Sequence, residues 1–150
     1  LFPYTTLFRS EAPYPLHVVL MDSGMPSLTS EAVSFVKEAR QSAPKRIDSI
    51  FSQIGLLTDQ AKDIFSKGSQ QELGKLMNEN HILLQQLGVS SPELDSLTAF
   101  ALRNHALGAK LCGAGRGGNV IALINEDSIP SFKQALVDQG IEKACFTTIE

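Results

Sequence analysis

The chain has 150 residues, of which 43% are hydrophobic and 19% charged, and its formal net charge is −3 at pH 7. This length suits one ordinary domain, and the composition is that of a globular protein. The scattered basic residues form no patch, which argues against a nucleic-acid partner, and no apolar run approaches the ~20 residues that span a bilayer. Cys112 and Cys145 lie far apart in sequence and predict two free thiols in a reducing, cytoplasmic compartment rather than a disulfide.

Residues 1–10 are treated apart from the rest of the chain. They have neither helical nor alternating periodicity, and they resemble the conceptual translation of a DNA-sequencing adapter. We therefore expect a non-native segment there, with a native amino-terminal arm as the alternative, and assign residues 11–150 to one domain. If the adapter interpretation is right, the gene is cut upstream and the chain is a fragment.

The domain begins with a predicted strand and a short helix. Leu16–Met21 is an apolar, partly β-branched run that ends at Asp22-Ser-Gly24, which predicts a buried strand. Thr29 or Ser30 is the predicted cap of the first helix, which ends at Pro44. The residues expected on its inner face are Ala32, Val33, Phe35, Val36 and Ala39.

Three more helices are predicted before the second strand. Apolar residues at helical spacing indicate helices from about residue 45 to 67 and from about 70 to 87, ended by Gly68 and Gly88. The fourth helix is capped either by Ser91, before Pro92, or by Ser90 in a capping box with Glu93. It is expected to direct Leu94, Leu97, Ala101 and His105 inward and to end at Gly108.

The second half alternates strands and one helix. Strands are predicted at residues 109–112, 120–124 and 143–149, and a helix at residues 128–139 with Ile129, Phe132, Ala135 and Leu136 inward. The resulting order is strand, helices, strand, strand, helix, strand. This order predicts an α+β domain with the ferredoxin-like split β-α-β-β-α-β topology and additional helices in the first crossover.

A glycine-rich loop between two predicted strands carries the main chemical signal. Gly113, Gly115 and Gly118 match the pattern G-x-G-x-x-G, but a strand follows where a dinucleotide-binding fold needs a helix. The loop also fits the glycine loop of protein kinases, yet Val-Ala-Ile-Lys, His-Arg-Asp and Asp-Phe-Gly are all missing, as is the Gly-Lys-Ser/Thr of a Walker A loop. A compact loop that holds or supports a phosphate site remains, with a hairpin that binds nothing as the alternative.

Longer stretches resemble one kinase superfamily. Lys110-Leu-Cys-Gly-Ala-Gly-Arg-Gly-Gly-Asn-Val120 is similar to the third glycine-rich motif of the galactokinase, homoserine kinase, mevalonate kinase and phosphomevalonate kinase superfamily. Leu76–His81, Leu87–Ser90 and Leu94-Asp95 resemble the mevalonate kinase family in particular, as does Asp22-Ser-Gly24 with Thr29. The resemblance runs collinearly from about His17 to the end of the chain.

The resemblance implies a function for the intact protein and a supporting role for this chain. It implies ATP-dependent phosphorylation of the primary hydroxyl of mevalonate in isoprenoid biosynthesis, with Mg²⁺ neutralising the phosphates. In this family the catalytic residues and the main phosphate loop lie in the amino-terminal domain, so this chain contains no catalytic residue and is expected to be inactive alone. The residues expected beside the phosphates are Gly113, Ala114, Gly115, Arg116, Gly117 and Gly118. Thr29 is expected on the substrate side, or else as a helix cap.

Some polar residues have simpler interpretations, and two depart from the family pattern. We expect Asn80 and His81 to satisfy buried partners, Lys110 to be solvated rather than on a phosphate, and His17 and His105 to form no metal site. Arg116 and Asn119 stand where the family usually has glycine and cysteine. If position 116 needs a positive φ, the arginine costs about 1 kcal/mol, unless its guanidinium adds a phosphate contact or the codon is a sequencing error.

Two rival functions stay open at this point. One is phosphomevalonate kinase or another member of the superfamily. The other is a non-enzymatic ferredoxin-like binding module without a missing half. The kinase hypothesis predicts an exposed apolar face toward the missing amino-terminal domain and leaves a homodimer open.

Overall fold

A computed structural model describes residues 13–150 of the chain. They form four strands and five α-helices, and a single 3-10 turn at Glu126–Ser128 comes directly before the last helix. The elements in chain order are β1 (Leu16–Asp22), α1 (Thr29–Ser42), α2 (Pro44–Lys67), α3 (Gln70–Leu87), α4 (Pro92–Arg103), β2 (Gly108–Cys112), β3 (Asn119–Ile124), α5 (Ile129–Asp138) and β4 (Ala144–Ile149). The predicted elements are all present. The expected non-native segment lies outside the described residues.

The four strands form one antiparallel sheet in the order β2-β3-β1-β4. This is the strand order of the ferredoxin-like fold, because the strand that follows the first crossover and the strand that follows the second helix occupy opposite edges. The register places Val19 opposite Ala122 and Met21 opposite Val120, so that these residues share one face of the sheet. The predicted α+β class with additional helices before β2 is confirmed.

The main core lies between this face of the sheet and the helices. Fully buried side chains of β1, β2 and β3 meet Leu94 of α4 and Phe132 of α5, and Phe132 makes edge-to-face contacts with Phe100 and Phe146. A smaller cluster on the opposite face joins Leu16, Val18 and Leu123 with partly buried residues from α2 and α3. Helices therefore cover one face of the sheet fully and only part of the other, where the residues of β4 are exposed.

The helix α3 passes unusually close to the start of the edge strand β2. A Cβ on Gly74 would lie 2.5 Å from the carbonyl carbon of Leu107, and a Cβ on Gly108 would lie 2.5 Å from the Cα of Gly74. Only the absence of both side chains allows this approach. The contact brings the polar side chains of α3 within reach of the backbone of β2.

Several local predictions about helix ends are wrong. The N-cap of α1 is Leu28, which has no capping side chain, so neither Thr29 nor Ser30 caps that helix. The helix α4 ends at Arg103 rather than at Gly108, because the chain turns at His105, an exposed residue with φ of 66° that does not point inward. Ser91 caps α4 by accepting a hydrogen bond from Leu94 N, which decides between the two predicted caps.

The prediction for the inner face of α1 is only partly confirmed. Ala32 is buried and Val36 and Ala39 pack against the core, but Val33 is 61% exposed and Phe35 37% exposed. A short helix at the rim of the domain buries only a narrow stripe, so residues at the edges of a broad predicted stripe remain in solvent.

Candidate functional site: the glycine loop

The glycine loop, residues 113–118, connects β2 to β3 and adopts a largely left-handed backbone. The φ angles are 97° at Gly113, 85° at Gly115, 58° at Arg116, 142° at Gly117 and 84° at Gly118. Glycine adopts such angles without a steric penalty, whereas an L-residue with a side chain pays about 1–2 kcal/mol. The four glycines therefore permit this path, and Arg116 stands in a strained position.

Two neighbouring segments hold the loop in place. From the turn between α3 and α4, the carbonyl of Val89 accepts a hydrogen bond from Arg116 N at 2.6 Å. From the segment after β1, Ser27 Oγ donates to the carbonyl of Gly115 at 2.7 Å. The amide of Gly118 also donates to Met25 O at 2.9 Å, and its carbonyl accepts from Ser23 N at 2.8 Å. The loop is thus fixed on both sides and is not a free hairpin.

Gly115 and Gly117 are required by close packing as well as by their positive φ angles. A Cβ on Gly115 would overlap the carbonyl oxygen of Val89, and a Cβ on Gly117 would lie 2.6 Å from Pro26 O. A Cβ on Gly113 would meet nothing within 4 Å. Positive φ and backbone contact coincide at Gly115 and Gly117, so their Cα atoms lie against neighbouring backbone.

Four backbone amides of the loop have no hydrogen-bond partner within residues 13–150, and two of them belong to the buried Gly115 and Gly117. The four are the N–H groups of Gly113, Ala114, Gly115 and Gly117. Successive amides in a left-handed or turn conformation form a concave donor set that suits anions. Unpaired amides of this kind are donors that an anion can use, and the predicted phosphate site stays a prediction.

The side chain of Arg116 points toward α1. Its guanidinium carbon lies 4.6 Å from the centroid of the Phe35 ring, a cation–π distance. A contact of this kind contributes about 0.5–1 kcal/mol at an exposed site, which offsets part of the strain at Arg116. The sequence analysis missed this partner, because it expected Phe35 to face the core.

Thr29 lies close in sequence to the segment that holds the loop. It is the first residue of α1 and is exposed, two positions after Ser27, whose hydroxyl bonds to Gly115. Its side chain makes no hydrogen bond within the described residues and does not cap the helix. The alternative role of Thr29 as a cap is therefore wrong.

The polar residues of α3 reach the edge strand β2 rather than a ligand. Asn78 Oδ1 accepts a hydrogen bond from Ala109 N at 2.9 Å, and His81 Nδ1 accepts from Leu111 N at 3.2 Å. These amides lie on the free edge of β2, where buried donors need partners. The expectation of a buried partner is confirmed for His81. It is wrong for Asn80, which makes no side-chain hydrogen bond in residues 13–150, and the sequence analysis missed Asn78.

Lys110 is half-buried and does not lie on the glycine loop. Its side chain lines a cavity of about 180 Å³ between α2 and α3, together with Asn80 and Met77. Burial lowers the pKa of the Lys110 ammonium group. The predicted solvation of Lys110 is therefore only partly confirmed.

The remaining candidate metal and thiol groups have simple surroundings. Among the residues that the structure describes, no three His, Cys, Asp or Glu side chains are placed to hold a metal ion. His17 bonds to Thr148 at 3.1 Å. Cys112 and Cys145 are both free and exposed, which confirms the prediction of two free thiols. None of the helices in residues 13–150 is long and apolar enough to cross a membrane.

More than half of the chain matches a known protein family. Residues 61–142, which contain the whole glycine loop, match the family model described as "GHMP kinases C terminal". The chain belongs to the GHMP kinases. This is the superfamily that the glycine loop and the segments around His81 resemble.

Relatives within the GHMP kinases share a name. The chain is 39% identical over 116 residues to the mevalonate kinase of Thermococcus gammatolerans and 42% identical over 113 residues to that of Pyrococcus abyssi. These alignments cover 74% and 72% of this chain but 35% and 34% of those proteins. The chain thus spans about a third of the length of these curated relatives.

Solved structures agree on the fold. The crystal structure of L. major mevalonate kinase in complex with R-mevalonate superimposes with a TM-score of 0.89 at 30% identity, over 93% of this chain and 44% of that one. The Methanococcus jannaschii mevalonate kinase gives a TM-score of 0.73 at 29% identity. A Streptococcus pneumoniae phosphomevalonate kinase, at 17% identity and a TM-score of 0.65, shares the fold. The domain is therefore a GHMP kinase carboxy-terminal domain by sequence and by shape.

Proposed function

We propose that this chain is the carboxy-terminal part of an ATP-dependent mevalonate kinase of the cytoplasm. Its role in the intact enzyme is to complete the nucleotide phosphate site with the glycine loop. The observation that carries the proposal is a loop that is fixed from both sides and has four amides without a partner in residues 13–150, in a chain whose named relatives are mevalonate kinases. Mevalonate and ATP are the proposed ligands.

The geometry of the glycine loop favours a role in holding the phosphates over a catalytic role. Phosphoryl transfer depends mainly on positioning and on stabilising charge at the phosphate oxygens. Backbone N–H groups that are fixed before the ligand arrives supply such stabilisation without reorganisation. The amides of Gly113, Ala114, Gly115 and Gly117 fit that requirement, whereas no side chain of the loop offers a base.

Mg²⁺ fits the phosphates rather than this chain. Mg²⁺ prefers oxygen ligands in octahedral geometry and is bound through one or two carboxylates and the substrate phosphates. The loop 113–118 contains no carboxylate. We therefore assign the protein ligands of Mg²⁺ and the catalytic groups to a part of the enzyme outside this chain, where the ion would neutralise the phosphates.

Thr29 and the apolar residues near the loop are assigned to neighbouring roles. Thr29 makes no side-chain hydrogen bond in residues 13–150 and lies two positions after Ser27, whose hydroxyl bonds to Gly115, so we place its hydroxyl on the substrate side. Met25 and Leu28 flank the same segment and are 46% and 57% exposed. We assign these apolar side chains to the interface with the missing amino-terminal domain, and a homodimer stays compatible with the described surface.

A coupled assay of two proteins tests the proposal. The chain alone and the same chain extended by the upstream sequence of its gene are compared for ADP release with mevalonate and with phosphomevalonate. We expect turnover only by the extended protein and only with mevalonate. Turnover with phosphomevalonate would support the rival kinase, and an extended protein inactive with both substrates would contradict the proposal.

A matched pair of variants connects the activity to the loop. In the extended protein, Gly117→Ala places a Cβ against Pro26 O, whereas Gly55→Ala adds one in open space. We expect the KM for ATP to rise at least tenfold in Gly117→Ala, the equivalent of about 1.4 kcal/mol, and to stay unchanged in Gly55→Ala. If the KM for ATP is the same in the two variants, the glycine loop is not part of the nucleotide site.

A further inference from the structure

The buried His81 uses its two ring nitrogens on two different parts of the domain. It is 5% exposed, and its Nδ1 accepts the hydrogen bond from Leu111 N at 3.2 Å. Because Nδ1 is an acceptor, the ring proton is on Nε2, which donates to Asp95 Oδ1 at 3.2 Å. His81 thus connects the edge of β2 with the first turn of α4.

The connection continues from Asp95 to the turn that holds the glycine loop. Asp95 Oδ1 also accepts a hydrogen bond from Ser90 Oγ at 2.5 Å. Ser90 directly follows Val89, whose carbonyl accepts the hydrogen bond from Arg116 N and packs against Gly115. The carboxylate therefore fixes the turn that contacts the middle of the loop.

The two ends of this network meet the glycine loop at two points. Leu111 precedes Gly113 by two residues, so the His81 bond fixes the strand that enters the loop. Ser90 fixes the turn that holds Arg116 in the middle of the loop. A chain of three side chains, each with a defined donor or acceptor, spans the distance between them.

We propose that the network of His81, Asp95 and Ser90 positions the glycine loop for its anion, and that protonation of His81 loosens the loop. The identity of the anion as ATP phosphate rests on the proposed function, but the positioning does not. His81 touches neither substrate nor nucleotide in this proposal and acts only through the backbone of β2 and the turn at Val89.

Protonation of His81 breaks one hydrogen bond of the network, the one at Nδ1. A doubly protonated imidazole carries a proton on Nδ1, which would face the N–H of Leu111, so that hydrogen bond is lost. Two charged groups bear on the ring, Asp95 from α4 and Lys110 from β2, and they act in opposite directions. Burial is the largest influence and lowers the pKa of His81, so the ring is neutral around pH 7 and the network is intact.

Amide hydrogen exchange of the chain measures the loop without any ligand. Ser90→Ala removes the bond to Asp95, and we expect exchange at Arg116 N to accelerate about tenfold while Leu111 N and the core amide of Val19 stay unchanged. Ser52→Ala is the matched control, because Ser52 Oγ donates only to Asp48 O of its own helix. Unchanged exchange at Arg116 in Ser90→Ala, or an equal rise at Val19, would overturn the positioning role.

Two substitutions at position 81 separate the two ring nitrogens. Asn places an amide oxygen near the position of Nδ1 and keeps an acceptor for Leu111 N, whereas Gln reaches toward Asp95 instead. We expect His81→Asn to accelerate exchange at Arg116 more than at Leu111, and His81→Gln to do the reverse. The same exchange pattern in both variants would show that His81 only fills space.

The pH dependence tests the effect of protonation. In the wild-type chain, exchange at Leu111, corrected for the intrinsic chemical rate, should accelerate relative to Val19 as the pH falls through the lowered pKa of His81. The His81→Asn chain should show no such change because position 81 no longer titrates. A flat wild-type profile, or an identical slope in His81→Asn, would contradict the proposed effect.

Nucleotide kinetics of the extended protein relate the network to the proposed function. We expect Ser90→Ala to raise the KM for ATP about threefold or more with little change in kcat, because the loop is displaced in only part of the population. If the extended protein has no kinase activity, the proposed function fails and the exchange results still stand. If it is active and the KM is unchanged in Ser90→Ala, positioning for ATP is wrong.

Discussion

Glycines in two regions of the molecule have opposite surroundings. In the glycine loop, Gly115 and Gly117 combine a positive φ with neighbouring backbone at the place of a Cβ, whereas Gly55 in the middle of α2 has helical torsions and open space around it. A glycine is thus required only where torsion or close approach demands it. The loop is compact because both demands coincide there, and the outer part of α2 is tolerant because neither applies.

The largest expected effect is at Gly115. Gly115→Ala places a Cβ against Val89 O at a φ of 85°, so strain and overlap add to a loss of about 3 kcal/mol in the free energy of unfolding. Urea unfolding of the chain measures it. Gly113→Ala is the control, with strain but no overlap, and should lose about 1–2 kcal/mol. Equal losses would show that backbone approach contributes nothing.

A substitution at Gly74 in α3 can be compared with one at Gly55 in α2, since both glycines are helical. Gly74→Ala in α3 has no torsional penalty, but its Cβ would lie 2.5 Å from the carbonyl carbon of Leu107, so α3 must move away from β2. We expect a loss of about 2 kcal/mol, of the size seen for overpacked cores. Thermal or urea unfolding detects it. A gain in stability, as helix propensity alone would give, would show that the contact between α3 and β2 is loose.

The stability of the chain should depend on pH through His81. Because burial lowers the pKa of His81 in the folded state, the unfolded chain takes up the proton first as the pH falls. Folding favours the neutral form of His81, and this contribution to the free energy of unfolding is fully present above the pKa of about 6.5 that histidine has in the unfolded chain. It is lost as the pH falls through the lower pKa of His81 in the folded chain. Urea unfolding between about pH 7 and 5 should show a loss of about 1 kcal/mol, and His81→Asn should remove that dependence.

The tolerant region should respond in the opposite direction. Gly55→Ala in α2 meets nothing within 4 Å and replaces a poor helix former, so we expect a gain of about 0.5–1 kcal/mol in the free energy of unfolding. Circular dichroism with urea measures the change. A loss of stability would indicate that α2 packs against a surface near Gly55 and would weaken the comparison.

The smallest expected effect is at Arg116. Arg116→Gly relieves the strain of φ 58° but loses the contact with Phe35 and adds freedom to the unfolded chain, so stability should change by less than about 0.5 kcal/mol. Arg116→Ala keeps the strain and lacks the guanidinium, and should be less stable than both. If Arg116→Gly weakens ATP binding by the extended protein, the guanidinium contributes a phosphate contact.

Sequence patterns located the strands and the glycine loop because their causes are local. Alternating or continuous apolar residues report burial, and Gly113, Gly115 and Gly118 report torsions that other residues avoid. The predictions that failed depended on where a helix ends and on which neighbours cover its surface. His105 and Val33 fit a helical stripe, but the chain leaves the helix before His105 and no neighbour covers Val33.

The candidate site shows the same division. The sequence by itself determined that a glycine loop joins two strands, that the order of elements is ferredoxin-like, and that the chain resembles the mevalonate kinases. Only the tertiary structure decided which amides of the loop stay free, that Val89 and Ser27 hold it, and that His81 rather than Asn80 bonds to β2. Torsions and periodicity depend on each residue and its neighbours in the chain, whereas a hydrogen bond across 30 or 88 positions depends on how the elements pack.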